Sequence, residues 1–441
     1  MTVNTSRLFF FFLFPGKLTH YGKQFVLGLL NPSHSQEETG KFEIFIQAME
    51  NNTKVRISIP YTTFNKTYNL TRDNVAKVEI PKQVLMAGKT KIENKGIDIT
   101  ADKDIAVYAF SKDSSGLGDG FAVHPKRSLG LEYVVTAYSG SHSNIGVVGV
   151  ENDTVVSVVL NGRSRLSYNR RVYKNRDALR VSLDKLQTFH IRSRFDLSGV
   201  RIITSKPVAV FSGASCEFSE VSPNCDFVVD QVPSVKTWGR EYVVHSGQSH
   251  SMQGGGLVRV TSARGGTVVR LENGMATRMG IGGVMDLVIN PRWPTLITCA
   301  PFCMATLYKT HRASVNKSVV GPSVAILPAT NQFLSHYTVY ITKEERQSVF
   351  LNILIKCSAS GGLIVNDVLL KDLVWQASES KTWCGATVKV TKVGVNTVHH
   401  RDGGTRFGVL VDGIGGRHSY SYYGGRSFQV TREEKGEEVK K

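Results

Sequence analysis

Six cysteines, Cys216, Cys225, Cys299, Cys303, Cys357 and Cys384, are the first candidates for chemistry in this chain. An even set without C-x₂-C spacing points to disulfides rather than a zinc site. Proximity favours Cys216–Cys225, Cys299–Cys303 and Cys357–Cys384, among several open pairings. The middle pair requires a turn at Ala300-Pro301, because cysteines four apart on an extended strand are too distant to bridge. If all six pair, no low-pKa thiol is left as a nucleophile.

Other reactive types do not assemble into a site. Serine and glycine in "SGSHSNIG" (139–146) and "SGQSHSMQGGG" (246–256) lack the G-x-S-x-G spacing of a nucleophile elbow. H-E-x-x-H is absent, and His399-His400 on a strand would point to opposite faces. The run Gly254-Gly255-Gly256 lacks the Lys-Ser/Thr of a phosphate loop and reads as a turn. Asp102, Asp104, Asp113 and Asp119 alternate with Lys103 and Lys112 and lack an EF-hand spacing. The expectation is a chain with no catalytic residues, no cofactor and no metal.

One basic stretch stands out: Arg163, Arg165, Arg170, Arg171, Lys174, Arg176 and Arg180, with Tyr168 and Tyr173 interleaved. Guanidinium groups beside aromatic rings can grip a phosphate or sulfate chain. The formal net charge of +18 adds a long-range attraction for polyanions.

The compartment narrows the choice of polyanion. Asn-x-Ser/Thr acceptors occur at Asn4, Asn51, Asn65, Asn69, Asn152 and Asn316. With the paired cysteines they indicate an oxidising, extracellular setting. The start "MTVNTSRLFFFFLFPGKLTH" resembles a shortened or mis-started secretion signal, since Pro15 ends the apolar run and no small-residue cleavage site follows. No other stretch is apolar enough to cross a membrane as a helix. Acidic glycans and extracellular glycoproteins are therefore the expected partners, and nucleic acid is not.

The elements that must carry these residues are strands. Charged residues are 20% and the AVILMFWYC set 41%, and 41 glycines against 13 prolines imply many tight turns. "GLEYVV" at Gly130 recurs as "GREYVV" at Gly239, with Gly22-Lys-Gln-Phe25-Val26 before them and a fainter Leu334-Ser-His-Tyr337 after. Alternating strands follow at Val55–Ile59, Val156–Leu160, Val269–Leu271 and Leu363–Val365. After them come Asn161-Gly162, Asn273-Gly274 and Asn366-Asp367, each fit for a tight hairpin, whereas the first copy has Pro60-Tyr61.

"GIDITADKDIAV" (96–107) lies without a gap over "GVRIITSKPVAV" (199–210), and the same offset places Val78 and Ile80 over Val181 and Leu183. That register makes 177–188 a strand, since its counterpart contains Pro81 and Gly88. Copy three keeps Leu296–Met304, and copy four only Phe407–Val411. The expected fold is all-β: about four tandem antiparallel sandwich-like repeats of roughly 100 residues, packed as one body. Their expected limits are 21–120, 121–230, 231–325 and 326–430, between the 1–20 segment and a charged tail at 431–441.

Residues 205–244, "SKPVAVFSGASCEF…NCDFVVDQVPSVKTWGREYVV", resemble the core motif of the IgG-Fc-binding protein N-terminal domain family. The motif maps onto Cys216 and Cys225, which bound a loop, then Asp226, Gln231, Pro233, Trp238 and Gly239. "DGFAVHPKRSLGLEY", "GPSVAILPATNQFLSHY" and "FGVLVDGIGGRHSYSYYGGRSF" extend the resemblance in order from about Gly22 to Phe428. Ser421 stands where the family has glycine, and Cys299 and Cys303 lie outside its pattern. With this resemblance the expected function is an extracellular, non-enzymatic binding or adhesion module for mucosal or cell-surface glycoproteins. The alternative is a secreted immune-recognition protein that binds antibody Fc or microbial surfaces. A glycan-processing enzyme, which would need two carboxylates in one cleft, is a distant third. The resemblance transfers no residue-level binding site.

Overall fold

A computed structural model describes residues 18–428, except 33–40, 73, 114–115, 138–141, 220–221, 248–251, 291, 314–318, 343–346 and 416–417. Side chains of 113–117, 215–226, 252–255 and 310–320 also lie outside the described set. Period-two runs such as Thr53–Ser58 and Thr154–Val159 bury alternate side chains, and such runs build one sheet topology three times over.

The first sheet contains Gly22–Leu27 (β1), Lys41–Ala48 (β2), Thr53–Ser58 (β3), Asn65–Leu70 (β4) and Val75–Ile80 (β5). Lys91–Glu93 (β6) leaves it, and Ile97–Asp113 (β7) and Gly116–Ala122 (β8) complete it. Its order is β4-β3-β7-β2-β5, with β1 and β8 also on the long β7.

The second sheet has Gly130–Val134 (β9), Ser143–Gly149 (β10) and Thr154–Val159 (β11). A small hairpin, Leu166–Tyr168 (β12) and Arg171–Tyr173 (β13), precedes Ala178–Leu183 (β14), Thr188–Ser193 (β15), Arg201–Ser219 (β16) and Ser222–Gln231 (β17). The order β14-β11-β16-β10-β15, with β9 and β17 on β16, repeats the first. β6 adds to its β15 edge, so residues 91–93 belong to the second sheet.

The third sheet has Gly239–Val244 (β18), Met252–Thr261 (β19), Thr267–Leu271 (β20), Ala276–Met279 (β21), Val284–Val288 (β22), Thr295–Ala313 (β23) and Val319–Ile326 (β24). Its order, β21-β20-β23-β19-β22 with β18 and β24 on β23, is the same again.

The last region splits this plan. His336–Ile341 (β25), Ser348–Lys356 (β26), Leu363–Val365 (β27), Val368–Leu369 (β28), Gln376–Ala377 (β29) and Trp383–Val390 (β30) are followed by Gly394–His400 (β31), Gly408–Gly415 (β32) and His418–Tyr423 (β33). The long strand is broken into β31 and β32, which head the separate sheets β25-β31-β27-β28 and β29-β30-β26-β32-β33. Copy four thus retains both halves of the long strand, not Phe407–Val411 alone. Arg401–Arg406 interrupts the apolar pattern between them and hides the first half from a sequence match.

The recurring Gly-x-Glu-Tyr is the joint between neighbours. On each long strand the chain bulges outward, from Ile203 to Val208 against only Glu132 to Gly130, and from Thr298 to Cys303 against Glu241 to Gly239. The buried tyrosine spans the bulge. Tyr133 Oη donates to the Val208 carbonyl (2.6 Å) and accepts the Gly130 amide (2.8 Å). Tyr242 does the same with Cys303 and Gly239, and Tyr337 with Phe407 and Leu334. A Cβ on Gly130 would lie 2.0 Å from Ser234 Oγ, and one on Gly239 would lie 2.1 Å from Ala329 Cβ. Only glycine lets the linker after the following sheet's last strand close over the joint. Gly239→Ala is expected to cost about 2 kcal/mol in urea unfolding, because the backbone linker must move. A loss under about 0.5 kcal/mol would show that the joint yields freely.

The Cys299–Cys303 disulfide closes the third bulge, with Cα atoms 5.8 Å apart and a cis Ala300-Pro301 bond inside it. Cys357–Cys384 is also bonded. The side chains of Cys216 and Cys225 lie outside the described residues.

Three details depart from the sequence reading. β14 pairs with β11 and occupies the place of β4, whereas β5 pairs with β2, so Val78 and Val181 are not equivalent. Both runs alternate in the same way, and periodicity cannot tell which neighbour a strand joins. Asn161-Gly162 is not a tight hairpin; the chain runs on to β12, and the two-residue turn is Asn169-Arg170, both at positive φ. Asn366-Asp367 does form one, with φ of 49° and 65°. Gly254-Gly255-Gly256 lies inside β19, paired with β23 rather than turning.

The cores run from each sheet into the next. Phe211, Phe227 and Val229 complete the first core, and Phe302, Met304 and Ile326 the second. Leu410 and Tyr423 join the third, and Phe45, Tyr108 and Phe110 join the last, which closes a circle. β8, β17, β24 and β33 meet around its centre. The ends of the described chain lock the closure: Thr19 bridges Ser427, the His20 amide donates to the Arg426 carbonyl (3.0 Å), and the Phe428 amide donates to Leu18 (2.6 Å).

At the centre stands Asp119, fully buried on β8. Its Oδ2 accepts the amides of Val229 (3.2 Å) and Val324 (3.0 Å), and Oδ1 accepts that of Ser421 (3.2 Å). These are matching positions on β17, β24 and β33, each opposite the same point of its long strand. One carboxylate thereby ties four parts of the ring together.

Candidate binding surfaces

The β12–β13 hairpin is an insertion in the second sheet, absent from the first and third. Leu166 anchors it in the core, and Tyr168 packs edge-on against Phe189 (5.5 Å). The rest of the hairpin faces water. Arg163, Arg165, Arg170, Arg171, Lys174, Arg176 and Arg180 are all exposed, and none is ion-paired with a described residue. The Arg171 guanidinium lies over the Tyr173 ring (4.8 Å), and Arg165 over Phe195 (5.2 Å). These stacks orient the cations while leaving their N–H edges free.

Sequence reasoning missed two contributors, Arg194 and Phe195, which arrive from the end of β15. The bond from Ser193 Oγ to the Arg165 carbonyl (2.5 Å) brings that segment alongside the hairpin. The Arg-Ser-Arg of "IRSRF", which repeats the Arg-Ser-Arg at 163–165, was the available signal. Nearby Arg192 is half-buried, and burial followed by the charge of Arg194 lowers its pKa.

A second surface is a cleft of about 710 Å³ at the joint of the second and third sheets, floored by Leu129, Leu131, Pro207 and Phe302. Its cations are already engaged. Arg264 forms a two-pronged pair with Glu132 (2.9 and 3.0 Å), Lys206 Nζ donates to the Asn152 carbonyl and Lys236 Nζ to that of Leu129, both at 2.6 Å. The cleft therefore offers apolar surface, and the hairpin offers free charge.

The family-motif residues serve the joints. Gln231 accepts the His124 amide (2.7 Å), and Trp238 Nε1 donates to the Pro233 carbonyl (3.1 Å) and meets Phe302 edge-on. The Asp226 side chain lies outside the described residues. Asn51, Asn65, Asn69 and Asn152 are exposed; Asn4 and Asn316 fall outside the described set. No group of three or more His, Cys, Asp or Glu among the described residues could hold a metal, and no helix among them is long and apolar enough to cross a membrane.

A family model described as IgGFc binding protein matches residues 119–413. The chain is similar to the human IgGFc-binding protein, at 26% identity over 345 residues, or 76% of this chain. It spans 6% of that protein's length.

Proposed function

This chain belongs to the IgGFc-binding protein family, and we propose that it is an extracellular, non-enzymatic binding module for acidic glycans on mucosal or cell-surface glycoproteins. The free, ring-stacked guanidinium groups of the β12–β13 hairpin carry this reading. Four sandwich-like repeats closed into a ring would hold that hairpin at a fixed place. The two disulfides support an oxidising compartment, and glycans at Asn51, Asn65, Asn69 and Asn152 would fit their exposure.

The test is binding of the purified chain to immobilised heparin and to mucin across a salt series. Affinity is expected to fall steeply with salt. The triple change Arg165→Ser, Arg170→Ser, Arg171→Ser should weaken binding at least about tenfold, or roughly 1.4 kcal/mol. Binding that ignores both salt and these substitutions would sink the electrostatic account.

A second reading, recognition of antibody Fc or a microbial surface, is favoured by the name of the human relative and by the apolar cleft at Leu131 and Phe302. A pull-down with immunoglobulin G and with a panel of bacteria separates the two. Capture blocked by Leu131→Glu but indifferent to salt supports the second.

A further inference from the structure

Lys309 on β23, Asn352 on β26 and Asp412 on β32 are each almost completely buried, and they meet at one oxygen atom. Lys309 Nζ and Asn352 Nδ2 both bond to Asp412 Oδ2. The Thr387 hydroxyl donates to Asn352 Oδ1 (2.8 Å), and the Ser421 hydroxyl donates to Asp412 Oδ1 (2.7 Å). Gly247, at a φ of 73°, leaves room for the carboxamide: a Cβ there would lie 2.1 Å from Asn352 Oδ1. An amine, a carboxamide and an acid that contacts both, shielded from water, are the reactants and the catalyst of an intramolecular amide exchange.

We infer that Lys309 and Asn352 join spontaneously in an isopeptide bond, with Asp412 as the proton carrier. Asp412 takes a proton from the Lys309 ammonium, and the freed amine attacks Asn352 Cγ. The Thr387 hydroxyl stabilises the negative charge that develops on Oδ1. Asp412 then returns the proton to the departing nitrogen, the Cγ–Nδ2 bond breaks and ammonia leaves. The carboxylate takes the remaining extra proton from the Lys309 nitrogen, which leaves a neutral amide and a protonated Asp412. One C–N bond forms and one breaks, with no change of oxidation state. Burial lowers the pKa of Lys309, which favours the neutral amine the attack needs, while Asp412 opposes the shift until it accepts the proton. The product would tie the third sheet to the last by a covalent link that reductants cannot cleave. This inference stands apart from the glycan-binding proposal.

Peptide mapping of the reduced, deglycosylated full chain by mass spectrometry tests it. The expected result is a branched species that unites the Lys309 and Asn352 peptides, lighter than their sum by one ammonia and uncut by trypsin after Lys309. Lys309→Met and Asp412→Asn should abolish the branched species, and Thr387→Val should reduce its yield. A folded wild-type chain that gives only the separate peptides, with cleavage after Lys309, overturns the inference whether or not the variants fold.

Discussion

Asp119→Ala is expected to destabilise the chain by about 5 kcal/mol, enough to leave much of it unfolded, since each buried donor left without a partner costs about 1–3 kcal/mol. Three amides from β17, β24 and β33 would lose their common acceptor at once. Alanine cannot replace it, and the site is sealed from water. Asp119→Asn should cost less but still more than about 1 kcal/mol, because its amide group turns a donor toward donors that both carboxylate oxygens now serve. Urea unfolding with size-exclusion chromatography measures both. If Asp119→Ala unfolds within about 1 kcal/mol of the wild type, the centre of the ring is not held by this carboxylate.

Arg426→Met should produce a loss that depends on pH. Arg426 is buried, donates to the Ile326 carbonyl, and lies near Asp230, His20 and His124. Burial pushes the Asp230 carboxyl up to about 7, with the Ile326 amide and Arg426 opposing. A raised carboxyl pKa means the folded form holds its proton more tightly, so the contribution of Asp230 to stability falls as pH rises through about 7. Without Arg426 that pKa rises further, and ionised Asp230 has no cation near it.

The histidines push in the same direction. Burial first, and then Arg426, hold His20 down at about 3, and burial, Arg426 and His20 hold His124 well below its usual value. Such groups stabilise above pH 6.5 and lose that contribution as pH falls; removing Arg426 eases the loss. The variant should therefore lose about 3 kcal/mol at pH 8, the low end for a buried charge stripped of its counterion, and clearly less at pH 5. Equal losses at the two pH values would mean that Arg426 acts through packing alone.

Much of the architecture is legible in short stretches of the chain. Val55-x-Ile57 and Val156-x-Val158 announce half-buried strands because a pleated chain turns alternate side chains inward. Gly130 and Gly239 with their tyrosines recur because each copy meets the same local demand: a close backbone approach and a bulge to bridge. Cys299 and Cys303 pair as their spacing allows once the chain turns at Pro301. The basic hairpin is visible as composition, although Arg194 and Phe195 reach it only through tertiary contact.

The sequence by itself determined that the chain is β throughout, where most strands fall, and which glycines and tyrosines mark the joints, because these follow from steric and periodic rules acting over a few residues. Only the tertiary structure decided which strand neighbours β14, how Leu18–Tyr21 closes on Arg426–Phe428, and why Asp119 and Lys309 are buried. Asp119 gathers amides from residues up to 302 positions away, and Lys309 meets Asp412 across 103. Such partners leave no local pattern, since each is chosen by how whole sheets pack and by the need to satisfy every polar group shut away from water.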